Sequence, residues 1–161
     1  MTTELTSPAN ALQVKETQPF TALCFTTHAT LLTLPQQTDG SAQRLFQEAT
    51  RLGLTITGPI HWIYTGVNGD ETNEFQLEVA LPISQPGDPS DAFIYRSFRS
   101  FRCACHSYTG SWSDSGPVYD ALFAQLYRDG YQNDGHIREV YAVVDLENPS
   151  NCVTEIQIGL V

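Results

Sequence analysis

Positive charge is scarce in this 161-residue chain: eight Lys and Arg stand against eighteen Asp and Glu, for a net charge of −10. The one basic series, Arg96, Arg99 and Arg102, is too short to follow a phosphate backbone, so direct nucleic-acid binding is not expected. Long apolar runs are also missing. No stretch approaches the ~20 residues needed to cross a bilayer, and the opening MTTELTSPAN has neither the basic nor the apolar region of an export signal. A cytoplasmic protein without membrane contact is the expectation. The four cysteines are too few to staple a chain of this length and read as reduced thiols. Catalytic and metal motifs are equally thin. Gly66-Val-Asn-Gly69 lacks the lysine and following helix of a phosphate loop. The serines near His106 lack a nucleophile elbow. On a strand, Cys103 and Cys105 face one way and His106 the other, so they do not converge on one tetrahedral ion. No metal and no cofactor are expected.

What is present is enough for one core: 41% hydrophobic residues, with two Trp, seven Tyr and eight Phe. A repeat is written across it. At an offset of 77 the pairs Leu45/Leu122, Phe46/Phe123, Arg51/Arg128, Gly53/Gly130, Gly58/Gly135, Ile60/Ile137, Tyr64/Tyr141 and Glu78/Glu155 are identical without a gap. Matches held in one register indicate a duplicated unit.

Residues 1–10 are Thr/Ser/Pro-rich and aperiodic, and a disordered N-terminal segment is expected there. Residues 11–161 read as a single domain with halves 11–84 and 93–161 around a Pro/Gly/Ser/Asp linker at 85–92. In the first half, 12–34 reads as a strand bent at a proline. Ala42, Leu45, Phe46, Ala49 and Leu52 form a helical stripe capped from Thr38, Asp39 or Ser41 and stopped by Gly53, and 60–65 and 75–83 form a hairpin. The second half repeats this order: strand-like 93–108, a helix begun at Asp114 or Ser115 with Tyr119, Leu122, Phe123 and Leu126 buried, then strands at 136–144 and 152–161. The expected fold is α+β, two β-α-β-β units with pseudo-two-fold symmetry. They form a mainly antiparallel sheet with both helices on one face and a ligand cleft on the other.

Side-chain alternation sets Leu77, Val79 and Leu81 against Glu78, and Ile156 and Ile158 against Glu155. Both glutamates are therefore expected on the face away from the helices. Trp62 shares a face with Tyr64, and Glu139 with Tyr141; parity alone does not say which face. A carboxylate in an aromatic hollow suits a lipophilic cation. Solvated glutamates on an open sheet face are the plainer alternative.

The repeated strand-helix-strand-strand order, the segment Tyr108-Thr-Gly110-Ser-Trp112, the run from Gly135 to Tyr141 and the closing Thr154-Glu155-Ile156 resemble the GyrI-like small-molecule-binding domain. That domain is also the effector-binding domain of AraC-type and MerR-type transcription activators. The resemblance spans roughly residues 12–161 and implies an aromatic-lined cleft on the pseudo-two-fold axis with a glutamate from the last strand. By position that glutamate is Glu155, with Tyr141, Tyr108 and Trp112 as walls. The candidate ligand-binding residues are thus Trp62, Tyr64, Tyr108, Trp112, Glu139, Tyr141 and Glu155, with Glu78 mainly scaffold. The expected function is a stand-alone domain that binds, senses or sequesters a hydrophobic, cationic small molecule. A hydrolase of strained electrophiles using Glu155 and Tyr141 is the alternative suggested by some relatives, and a gyrase-inhibitor type of protein-interaction module is another. A protein partner stays open.

Overall fold

The computed structural model describes residues 12–161; the expected disorder of 1–10 lies outside the described residues. Eight strands form one sheet: β1 (Gln13–Glu16), β2 (Phe20–Ala29), β3 (His61–Thr65), β4 (Phe75–Ile83), β5 (Ile94–Phe98), β6 (Arg102–Thr109), β7 (Asn133–Val143) and β8 (Val153–Leu160). Their spatial order is β1-β6-β8-β7-β3-β4-β2-β5, and every neighbouring pair is antiparallel. The helices are a short α1 (Leu34–Thr38), α2 (Ser41–Arg51) and α3 (Gly116–Arg128). The α+β architecture, with both long helices on one side of an antiparallel sheet, is the one the sequence pattern predicts.

The order is palindromic. Exchanging β2, β3 and β4 for β6, β7 and β8 reverses the central six strands onto themselves, so that β3 and β7 meet at the middle. There Trp62 faces Glu139, and these two are themselves 77 positions apart. The pseudo-two-fold axis runs through that pair.

The helices end as their sequences predict and begin differently. Gly53 (φ 70°) and Gly130 (φ 88°) take the left-handed conformation just past each C-terminus. Leu54 N–H donates to Ala49 O and Tyr131 N–H to Leu126 O, the six-residue closure that glycine permits. At the N-termini Gly40 precedes α2 and Ser115 precedes α3, and neither supplies a side-chain cap. The Ser115 hydroxyl instead donates back to Trp112 O at 2.8 Å.

Two stretches predicted as single strands are each divided. Pro19 separates β1 from β2, because its ring removes a ladder donor. β1 crosses to the far edge to pair with β6, while β5 pairs with β2. Each half thus lends its first short strand to the edge of the other. The strand expected as far as residue 34 stops at Ala29, and Pro35, in the first turn of α1, starts a short helix as well as breaking the strand.

Leu45 and Ala49 of α2 pack on Leu77, Val79 and Leu81, and Leu122 and Leu126 of α3 pack on Ile156, Ile158 and Leu160. The opposite face has its own small cluster of Ala22, Cys24, Ile63, Ala80 and Phe98. All four cysteines are free and buried. Among the described residues, no helix is long and apolar enough to cross a membrane.

Candidate functional site

The centre of the sheet on the helix side is acidic and aromatic. Glu139 projects there from β7. Its Oε1 accepts hydrogen bonds from the Tyr64 hydroxyl at 2.8 Å and the Tyr141 hydroxyl at 2.6 Å. Its Oε2 accepts one from Tyr119 of α3. An ionised carboxylate only accepts, so all three hydroxyls donate. Tyr64 and Tyr141, like Trp62 and Glu139, lie 77 positions apart. The axis brings both to the same oxygen, and the helix supplies the third donor.

Register explains the convergence. The pairings Trp62 with Glu139 and Tyr64 with Ile137 set alternate residues of β3 and β7 on one face. A register shift between Asn133 and Ile137 precedes them. Gly135, at φ 88°, occupies that shift in a conformation strained for any side chain. Its carbonyl accepts from Gly66 N–H at 2.9 Å, tying the ends of the two central strands.

The carboxylate forms part of the wall of a hollow of about 610 Å³. Leu31, Leu34 and Val67 supply one side, and Tyr119, Phe123 and Tyr127 of α3 the other. Asp120 and Asn68 add polar groups to the lining. Burial, reinforced by the Glu139 charge, pushes Tyr64, Tyr119 and Tyr141 well above the usual phenol range. The three hydroxyls therefore remain donors. Next to this group the rings of Trp62, Tyr141 and Trp112 form a row, with centroids 5.9 and 5.4 Å apart. Trp112 Nε1 donates to Thr154 Oγ1 at 3.1 Å, which fixes the indole at the end of the row.

A family model described as the GyrI-like small molecule binding domain matches residues 13–161. The chain belongs to the GyrI-like family. No curated protein matches this GyrI-like domain at a significant level. Solved structures resemble it at low identity. The C-terminal domain of EcmrR superposes with a TM-score of 0.78 at 17% identity, covering 94% of this chain and 98% of that one. SAV2435 bound to tetraphenylphosphonium gives 0.64 at 15% identity, with 94% of each chain covered. A hydrolase encoded by lin2189 from Listeria innocua gives 0.63 at 12%, covering 96% and 94%. At such identities the likeness establishes the shared fold.

Within the GyrI-like domain, the residues singled out in the sequence divide between the two faces. Trp62, Tyr64, Trp112, Glu139 and Tyr141 gather on the helix side. Tyr108 is on that side too, packed with the α3 cluster, and its hydroxyl donates to Ser111 O at 2.6 Å; of these six residues, Tyr64 and Glu139 line the hollow. Glu155 does not join them. It lies on the opposite face, where Lys15 holds it at 2.9 Å and the Gln157 amide at 2.5 Å. Partial burial raises its pKa, but the Gln157 and Lys15 contacts outweigh this and leave it below the usual carboxylate range. The expectation of Glu155 as the acid of an aromatic cleft is therefore corrected: its parity on β8 aims it away from every one of those rings. The Glu155–Tyr141 pair invoked for hydrolysis is split across the sheet for the same reason. The face opposite the helices does carry a cleft, of about 270 Å³, but the aromatic hollow opens on the helix side, between α1 and α3.

Glu78 also lies on that opposite face, 4% exposed. Arg96 Nη1 is 3.0 Å from its Oε2, although the alignment falls short of a hydrogen bond. Tyr119 and Phe123 went unrecognised as site residues. Their helical spacing marks them as core, and nothing local shows that the Tyr119 hydroxyl has a carboxylate to meet. The one available signal was the hydroxyl itself, since a buried tyrosine needs a partner.

Proposed function

We propose that this domain binds a lipophilic, cationic small molecule in the hollow between α1 and α3, as a sensing or sequestering module. One observation carries the reading: a carboxylate in the wall of an apolar hollow, held by three tyrosine hydroxyls. Removing a charged group from water is unfavourable unless it is hydrogen-bonded. Here the donors are supplied in advance, and the acid faces the hollow with its negative charge uncountered by any ion pair among the described residues. A cation completes that arrangement. Its apolar body packs on Leu31, Leu34, Val67 and Phe123, and the tyrosine ring faces add cation–π attraction of ~0.5–2 kcal/mol each. The net charge of −10 draws cations toward the protein at long range. The tetraphenylphosphonium in SAV2435 is a ligand of this chemistry in a protein of the same fold.

Isothermal titration calorimetry with tetraphenylphosphonium is the test. Saturable binding with one site per chain is expected, weakened at least tenfold in Glu139→Gln and unaffected in Glu155→Gln. Equal loss in both variants, or none in Glu139→Gln, refutes the assignment.

A further inference from the structure

Alternation along β7 sends Glu139 to the helix side and its neighbour Arg138 to the other. Arg138 is only 8% exposed and lines the cleft of about 270 Å³ on that face. Its guanidinium carbon lies 3.9 Å from the centroid of the Phe101 ring, and 5.8 Å from those of Phe20 and Phe98. The rings stabilise the charge through their faces. They accept none of the five in-plane N–H donors in the ordinary sense. Among the described residues no carboxylate forms an ion pair with Arg138. Glu155 is engaged by Lys15 and Gln157, and Glu78 lies against Arg96; Glu78 and Asp134 act on Arg138 only at longer range, and burial works against its charge. Gln157, the cross-strand partner of Arg138, also lines the cleft and keeps a buried Oε1 without a donor.

A buried arginine that has no ion pair among the described residues and lines a cleft is matched by an anionic acceptor. We propose that this cleft is a second binding site, selective for a small monoanionic carboxylate with an apolar body. The two carboxylate oxygens pair with the guanidinium fork, and the body rests on Phe20, His61 and Val140. His61 serves as a wall and not as a second cation. Its Nδ1 is 2.9 Å from Pro59 O, an acceptor only, so Nδ1 carries the proton; burial lowers the ring's pKa, and the ring lies 4.7 Å from Phe20. Lys15 also lines the cleft but is already neutralised by Glu155. Glu16 lines the cleft as well, but from the exposed edge strand β1, where water screens it. Among the described residues, the one buried cation without an ion pair selects one negative charge, and the added acidic group further disfavours a doubly charged phosphate. The domain would thus carry sites of opposite charge preference on opposite faces of one sheet.

Sodium benzoate titrated into isotope-labelled protein at constant ionic strength tests this by amide chemical shifts. Saturable shifts are expected at His61, Arg138, Val140 and Gln157, with and without saturating tetraphenylphosphonium, and none with sodium chloride or inorganic phosphate at equal ionic strength. Arg138→Met keeps an unbranched apolar stem and removes the guanidinium; it should weaken benzoate at least tenfold and leave tetraphenylphosphonium binding unchanged. Arg138→Lys keeps the charge without the fork, and an intermediate loss is expected. The proposal is overturned if the wild type shows no saturable shift, if the shifts fall instead on Tyr119 and Phe123, or if folded Arg138→Met binds benzoate as the wild type does. Should Arg138→Met not fold, the wild-type shift map and Arg138→Lys decide.

Discussion

Replacing Glu139 by Gln removes one charge from the hollow and leaves its shape in place. The amide oxygen can still accept from Tyr64 and Tyr141, which now share Oε1 at 2.8 and 2.6 Å. Only Tyr119, on Oε2, meets an NH₂ donor and must turn to accept. The expected loss is therefore electrostatic. A positive centre 4–5 Å from the carboxylate gains about 4 kcal/mol at an effective dielectric of 20. Stripping water from both charges offsets roughly half of that, leaving about 2 kcal/mol, or ~30-fold in Kd. Calorimetry with tetraphenylphosphonium measures it directly, and triphenylphosphine oxide, a neutral molecule of similar shape, is the control. The neutral compound should bind both proteins within about a factor of three, since it gains no charge–charge attraction from the carboxylate. A carboxylate shielded by protein is weakly screened, so the difference between the two proteins should persist at high salt. If the cation and the neutral compound lose affinity equally, Glu139 acts only through shape and the charge argument fails.

Alkaline titration gives a second check. Tyr64, Tyr119 and Tyr141 are held well above the phenol value of 10.0 in the folded protein. Above pH 10.0 the unfolded chain therefore releases protons that the native state keeps; stability is complete below that pH and falls as pH rises further. Phenolate absorbance and circular dichroism followed together should show these three residues ionising with unfolding, and early ionisation before any loss of structure would contradict the Glu139 cage. Burial pushes the Cys24 thiol up to about 12 and Cys103 up to about 11, so a thiol reagent at pH near neutrality should leave both unmodified until denaturant is added; fast labelling of the native protein would place them wrongly. Leu126 is fully buried against Ile156 and Ile158. Leu126→Ala should cost about 3 kcal/mol in urea unfolding and lower Tm by roughly 6–12 °C; a cost under about 1 kcal/mol would mean the α3 core repacks freely.

Helices and strands were legible in the sequence because their periods are local. The 3.6-residue stripe of Leu45 and Ala49, the glycine stops at Gly53 and Gly130, and the alternation that turns Glu78 and Glu155 from the helices all follow from single segments. So does the register of the repeat, which pointed to Tyr64 and Tyr141. Glu139 was among the candidates, but its place at the head of the site was not. Parity states which residues of one strand share a face; it does not state which face of β7 matches which face of β3, nor which of them meets a helix. That was decided by the pairing of Trp62 with Glu139 on the axis and by the approach of Tyr119 from α3. The exchange of β1 and β5 between the edges was likewise invisible, because short edge strands carry little pattern of their own and take their partners from whatever ladder is left open. The sequence offset of 77 singled out two tyrosines. Only the folded sheet, by placing its axis through one unpaired acid, made them donors to the same oxygen.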